Sequence, residues 1–180
     1  MREVKLQISM SLDGFVASDR QHPGTSVPED DELVDWKANR LTSVGAHLMG
    51  RVTYLEMASY WPTATGRYAD VMNSSPKIVF SKTLTEATWP TTRIASGELA
   101  EEIAAIKAEP GADVVAHGGA AFVAALAAGG LIDEYCLVVQ PLALGRGQGL
   151  FAELPEARRL ELVESRGFPC GVVVQVYRPA

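Results

Sequence analysis

Seven residues constrain this chain more than any others: Leu48-Met49-Gly50-Arg51-Val52-Thr53-Tyr54. They read as a short apolar strand that stops at a glycine and turns directly into a helix. The first amides of such a helix have no backbone partner, and the helix dipole is positive at that end. The junction is therefore a natural seat for an anion. Arg51 adds a fixed charge and Thr53 a hydroxyl in the same turn. A tight connection can use glycine for geometry alone, so one junction does not establish a ligand. A second junction follows in Val114-Val115-Ala116-His117-Gly118-Gly119-Ala120. Two glycine-gated junctions in one domain point to a ligand with two anionic groups, such as a dinucleotide.

The segments around these junctions alternate between strand and helix patterns. Residues 4–11 alternate as a strand, Asp13-Gly14 makes a turn, and Phe15-Val16-Ala17 follow, before a polar loop with Pro23, Gly24 and Pro28. The acidic run 29–32 opens a helix with Leu33, Trp36, Lys37, Arg40, Leu41 and Val44 near one face, and Gly45 stops it. The helix over 51–60 places Val52, Leu55 and Ala58 on one side, and Trp61-Pro62 ends it. A loop with Gly66 leads to a buried strand over 77–81, and 88–95 reads as extended. Ser96 caps a helix carrying Leu99, Ile103 and Ile106, broken by Pro110-Gly111. An alanine-rich helix over 120–128 closes at Gly129-Gly130, and 135–139 is a strand. The turn 141–149 precedes an antiparallel pair over 160–165 and 172–177. The sum is an α/β fold with a mostly parallel central sheet, helices on both faces and an antiparallel C-terminal edge, in one domain over 1–180.

Composition narrows the function classes. A chain of 180 residues with 47% hydrophobic and 21% charged residues is long enough to bury a sizeable core. A net charge of −6 leaves no basic stripe for phosphate backbones, which argues against nucleic acid as a partner. No apolar run has membrane-spanning length and no signal-peptide core precedes the first strand, so the expected location is the cytoplasm. Cys136 and Cys170 sit in strand-like contexts and read as free, buried thiols. His22, His47 and His117 are scattered without metal-ligand spacing, so no metal is expected.

Four motifs in order resemble a known family. Gly50-Arg51-Val52-Thr53-Tyr54 and Gly118-Gly119 look like the cofactor motifs of dihydrofolate reductases. Ser11-Leu12-Asp13-Gly14, and Pro141-Leu142-Ala143-Leu144-Gly145-Arg146-Gly147 with Leu150-Phe151, resemble a sister branch, the reductase domain of riboflavin biosynthesis and its stand-alone relatives. The resemblance runs from Val4 to Tyr177. It implies a dihydrofolate-reductase-like fold and an oxidoreductase that moves a hydride from NADPH to a small planar heterocycle, pterin- or pyrimidine-like.

The resemblance also implies residue roles. Gly50, Arg51 and Thr53 would hold the pyrophosphate on one side and Gly118, Gly119, Ala120 and Ala121 on the other. Ser81 and Lys82 fall where the family binds the adenosine 2′-phosphate, and Ser9, Val16 and Ala17 where it meets the nicotinamide. Glu32 precedes Trp36-Lys37 at the offset of the dihydrofolate reductase carboxylate, though Asp30, Asp31 and Glu32 read equally as first-turn helix acids. Asp13 is a second catalytic candidate that could instead hold its own turn. Phe15 stands where the riboflavin branch has a basic residue; with Trp36 and Tyr54 it suggests an aromatic substrate pocket, or ordinary core. Family members commonly pair, so a homodimer is expected, its contact drawn from 135–139 and 172–176. The alternative is a nucleotide-binding or sensor protein that kept the fold without the chemistry.

Overall fold

In the computed structural model, residues 1–17 and 27–180 are described. The loop expected around Pro23 and Gly24, together with His22, lies outside them. An eight-stranded sheet organises the chain. Its strands are β1 (Val4–Ser11), β3 (Ala46–Gly50), β4 (Lys77–Phe80), β5 (Thr92–Ala95), β6 (Val114–Ala116), β7 (Glu134–Gln140), β9 (Leu160–Gly167) and β10 (Val173–Pro179), in the order β5-β4-β3-β6-β1-β7-β10-β9. Every pair from β5 to β7 is parallel, whereas β10 runs antiparallel to both β7 and β9. A separate two-stranded piece joins β2 (Phe15–Ala17) to β8 (Gln148–Gly149).

Strand alternation assigns the two faces. Val4, Leu6 and Ile8 of β1 join Ala46, Leu48, Val114 and Ala116 in a cluster with Ile103 and Ile106 of α4 (Leu99–Ala108) and Val123 and Leu126 of α5 (Ala120–Ala128). The opposite parity faces α1 (Asp31–Leu41), α2 (Arg51–Tyr60) and α3 (Arg67–Ser74). There Cys136, Val138, Val174 and Val176 pack on Leu33, and Met49, Val79 and Val115 pack on Leu41, Tyr54 and Met72. No helix among the described residues is long and apolar enough to cross a membrane.

Five details depart from the sequence reading. Helix α1 ends at Leu41, not at Val44. Gly45 is needed in the bend beyond it, where its amide bonds the Asp113 carbonyl and a Cβ would run into the Ala112 carbonyl oxygen. Helix α3 replaces an expected loop; it buries only Ala69 and Met72, too few for a visible apolar period. The α4 cap is Glu98, not Ser96. On α2 it is Tyr54 that is buried, while Val52 and Leu55 are 61% and 44% exposed. Cys136 is buried and free as expected, but Cys170 is only half-buried.

Candidate functional site

The two junctions lie side by side because β3 and β6 are paired neighbours, Leu48 opposite Ala116. Each strand therefore delivers its following glycine to the same end of the sheet. The Gly50 amide donates to the Gly118 carbonyl at 2.8 Å, and the Gly119 amide donates to Thr53 Oγ1 at 2.6 Å. Room for side chains is absent: a Cβ on Gly50 would sit 2.9 Å from Phe122 Cβ, and one on Gly118, whose φ is +152°, 3.1 Å from Thr53 Oγ1. Gly50 and Gly119 are the N-caps of α2 and α5, and neither helix has a side-chain cap bond. Two helix N-termini thus open together with their first amides uncapped by side chains.

They open onto a cavity of about 770 Å³. Of the residues expected to hold a cofactor, Ser9, Val16, Ala17, Gly50, Arg51, Thr53, Gly118, Gly119, Ala120 and Ala121 all line it. Arg51 is exposed at its rim and has no ion pair among the described residues. An anionic diphosphate fits this cradle: close-approach glycines, uncapped amides, a hydroxyl and one cation.

Other expected site residues lie elsewhere. Ser81 is off the wall, with its Oγ accepting from the Thr83 and Leu84 amides. Lys82 also lies off it, 69% exposed and paired with Glu98 at 2.7 Å. Glu32 projects from the outer side of α1 to Arg166 at 2.5 Å, half exposed. Asp13 accepts from Ser11 Oγ and from the Leu144 and Gly145 amides, and these bonds, the hydroxyl first, hold its carboxyl at about 2. A carboxylate so held has no proton to give at neutral pH. Tyr54 is fully buried in the α2 core, its hydroxyl accepting from the Trp89 amide. Trp36 packs edge-on against Phe168 at 6.0 Å. Phe15 lines only a small adjoining hollow shared with Ser9, Met10 and Leu144. The aromatic pocket expected from Phe15, Trp36 and Tyr54 is therefore not formed by them.

Different polar groups furnish the cavity. Gln7, Lys37, Tyr68 and His117 are on its wall. Lys37 Nζ pairs with Glu29 at 2.6 Å and lies 5.7 Å above the Tyr68 ring. Burial, with the Glu29 charge as a lesser cause, pushes the Tyr68 hydroxyl above its ordinary range, so it remains a donor. Burial drives His117 well below the ordinary imidazole value, with His47 and Lys37 adding to the effect. Sequence reasoning passed over this group because Tyr68 belongs to the unexpected α3 and Gln7 is an isolated polar residue in a strand. His117 sat inside a motif read for its glycines.

Comparison with known proteins converges on one family. The sequence matches the RibD C-terminal domain over residues 2–174. It is 28% identical to the uncharacterized protein YyaP of Bacillus subtilis (strain 168), over 98% of this chain and 94% of that one. The structure superposes on a putative riboflavin biosynthesis protein from Shewanella sp. PV-4 with TM-score 0.73 and 24% identity, covering 100% and 99% of the two chains. It also superposes on Enterococcus faecalis dihydrofolate reductase, solved with NADP(H), with TM-score 0.65 and 13% identity, covering 98% and 96%. The last two likenesses establish a dihydrofolate-reductase-like fold.

Proposed function

The chain belongs to the RibD C-terminal domain family, an oxidoreductase-type family, and from that premise we propose that it is an NADPH-dependent reductase of a small planar heterocycle, pterin- or pyrimidine-like. The observation that carries the reading is the pair of stitched, uncapped helix N-termini opening on one cavity beside Arg51. NADPH would supply the hydride; the protein's part is to hold, orient and shield. Gly50, Arg51 and Thr53 would hold the diphosphate from one side, and Gly118, Gly119, Ala120 and Ala121 from the other. Ser9, Val16 and Ala17 would meet the nicotinamide. Arg51, with its charge unpaired among the described residues, would be the cation at the diphosphate, whereas Lys82, expected at the adenosine 2′-phosphate, is paired with Glu98 off the cavity wall.

Neither expected acid serves as proton donor, since Glu32 and Asp13 both lie off the cavity wall. Solvent water entering the cavity would deliver the proton that follows the hydride. The same observation favours one alternative, a protein that binds the nucleotide and has lost the reduction step. NADPH oxidation followed at 340 nm against pterins, pyrimidines and quinones separates the two. Turnover with any heterocycle supports the reductase; tight NADPH binding with no turnover across the panel supports the alternative.

We further infer a homodimer. The contact expected from 135–139 and 172–176 narrows to one face of those segments: Tyr135, Cys136, Val138, Val174 and Val176 are buried within one chain, whereas Val139, Val173 and Gln175 line an open hollow with Leu12. We place the contact on that sheet face, where Leu12 and Val173 are 71% and 38% exposed.

A further inference from the structure

Two imidazoles meet at the cavity wall. His47, on β3, is fully buried, and its Nδ1 lies 2.8 Å from Nε2 of His117. The rings tilt by 50° with centroids 4.9 Å apart. A contact of that length between ring nitrogens is a hydrogen bond, and it requires one proton between the two atoms. Which ring supplies it decides what the cavity presents, because His117 lines the cavity and His47 does not.

The surroundings fix the direction. His47 Nε2 is buried without a hydrogen bond of ordinary geometry, and the Val71 backbone acts on the ring in the sense of a carbonyl acceptor, favouring a protonated nitrogen there. A bare nitrogen there would set two lone pairs against each other, whereas an N–H is attracted to the oxygen. With its proton on Nε2, neutral His47 has a bare Nδ1, which accepts from His117 Nε2–H. Neutral His117 then carries its lone pair on Nδ1. Both rings stay neutral: the ionisable groups acting on them are Lys77 at His47 and Lys37 at His117, besides each other, and no carboxylate is among them. His117 Nδ1 makes no protein hydrogen bond among the described residues and is not a sealed atom.

We propose that His117 Nδ1 is a fixed hydrogen-bond acceptor in the substrate part of the cavity, held in that role by His47, and that it selects a heterocycle presenting a ring N–H. Donors stand on the same wall in the Lys37 ammonium and the Tyr68 hydroxyl. An acceptor beside donors matches the –CO–NH– edge of an oxo-heterocycle. His117 is thus a specificity-determining residue and His47 a positioning residue. The inference deepens the reductase reading and rests on it for the substrate class, but the tautomer it requires does not depend on any ligand.

The test has two arms. Imidazole ¹⁵N spectra of labelled protein at pH 7, assigned with His22→Gln and His47→Gln, should show His47 and His117 both as neutral Nε2–H tautomers. His47→Gln, whose side-chain oxygen can accept in place of Nδ1, should keep the His117 tautomer, whereas His47→Leu should release it. A His117 Nδ1–H tautomer, or a charged ring, in the wild type overturns the proposal. In the second arm, lumazine and 1,3-dimethyllumazine are titrated into NADPH-loaded protein. Lumazine should bind about tenfold tighter than its N-methylated analogue, the scale of one unmade buried hydrogen bond. His117→Phe should erase that difference. Equal affinities, or no binding of either probe, contradict the substrate class. Failure of NADPH itself to bind refutes the reductase reading instead, and leaves the tautomer result standing.

Discussion

Asp13 is engaged in holding two segments together. Its carboxylate clamps the Leu144 and Gly145 amides, the latter at 2.6 Å, onto the turn that leads into β2. Its folded value of about 2 lies below the ordinary 3.8. The clamp therefore contributes fully above about pH 4 and is lost as pH falls through 2. Amide shifts of Leu144 and Gly145 should titrate with a midpoint near 2, and a midpoint near 4 would contradict the clamp. Glu32 is the opposite case, an exposed acid paired with an exposed Arg166. Such pairs contribute little, so Glu32→Gln should leave turnover and its pH profile unchanged. A general acid would lose about 10²- to 10⁴-fold in rate. The offset from Trp36-Lys37 was a real sequence signal, but it could not show which side of α1 faces the cavity. The structure turns Lys37 toward the cavity and Glu32 toward Arg166.

The strand–glycine–helix junctions were legible because their requirements are local. A helix must begin where its amides are free, and glycine must stand where no Cβ fits. Gly50→Ala puts a methyl against Phe122, and overpacking of this kind costs about 1–3 kcal/mol. Thermal unfolding should show that loss, with Gly50→Ala/Phe122→Ala recovering part of it. Helix α3 was illegible for the reason already given, and it matters because it carries Tyr68 and is anchored by a charge that the sequence disguised. Lys77, read as part of a buried strand, does lie in one. Its ammonium reaches the Asn73 and Pro90 carbonyls at 2.9 and 3.2 Å and sits 4.5 Å over the Trp89 ring. Burial lowers it to about 8 from 10.5. A depressed lysine disfavours folding while it must be charged, so stability should rise as pH goes from about 8 toward 10.5. Chemical denaturation of wild type and Lys77→Met across that range checks the sign, because the rise should vanish in the variant.

At the scale of the whole molecule, the order of strands decides what meets what. Alternating patterns were enough to foresee a parallel sheet with an antiparallel edge, but pairing β3 with β6 is a long-range fact. That pairing unites the two junctions and brings His47 to His117. The order β1-β7-β10 leaves one face of this edge open, so the contact expected over 135–139 and 172–176 narrows to Val139, Val173 and Gln175 beside Leu12. If Leu12 and Val173 are covered by a second copy, light scattering at micromolar concentration should give twice the chain mass. Leu12→Asp/Val173→Asp should then give a folded monomer, and a monomeric wild type would refute pairing. The central claim is that the joined helix N-termini bind NADPH through Arg51. Calorimetric titration of NADPH into wild type, Arg51→Ala and Lys82→Ala tests it directly. Saturable binding is expected, weakened about tenfold by Arg51→Ala and nearly unchanged by Lys82→Ala, whose charge Glu98 already offsets. No binding to the wild type, or a loss confined to Lys82→Ala, would contradict it.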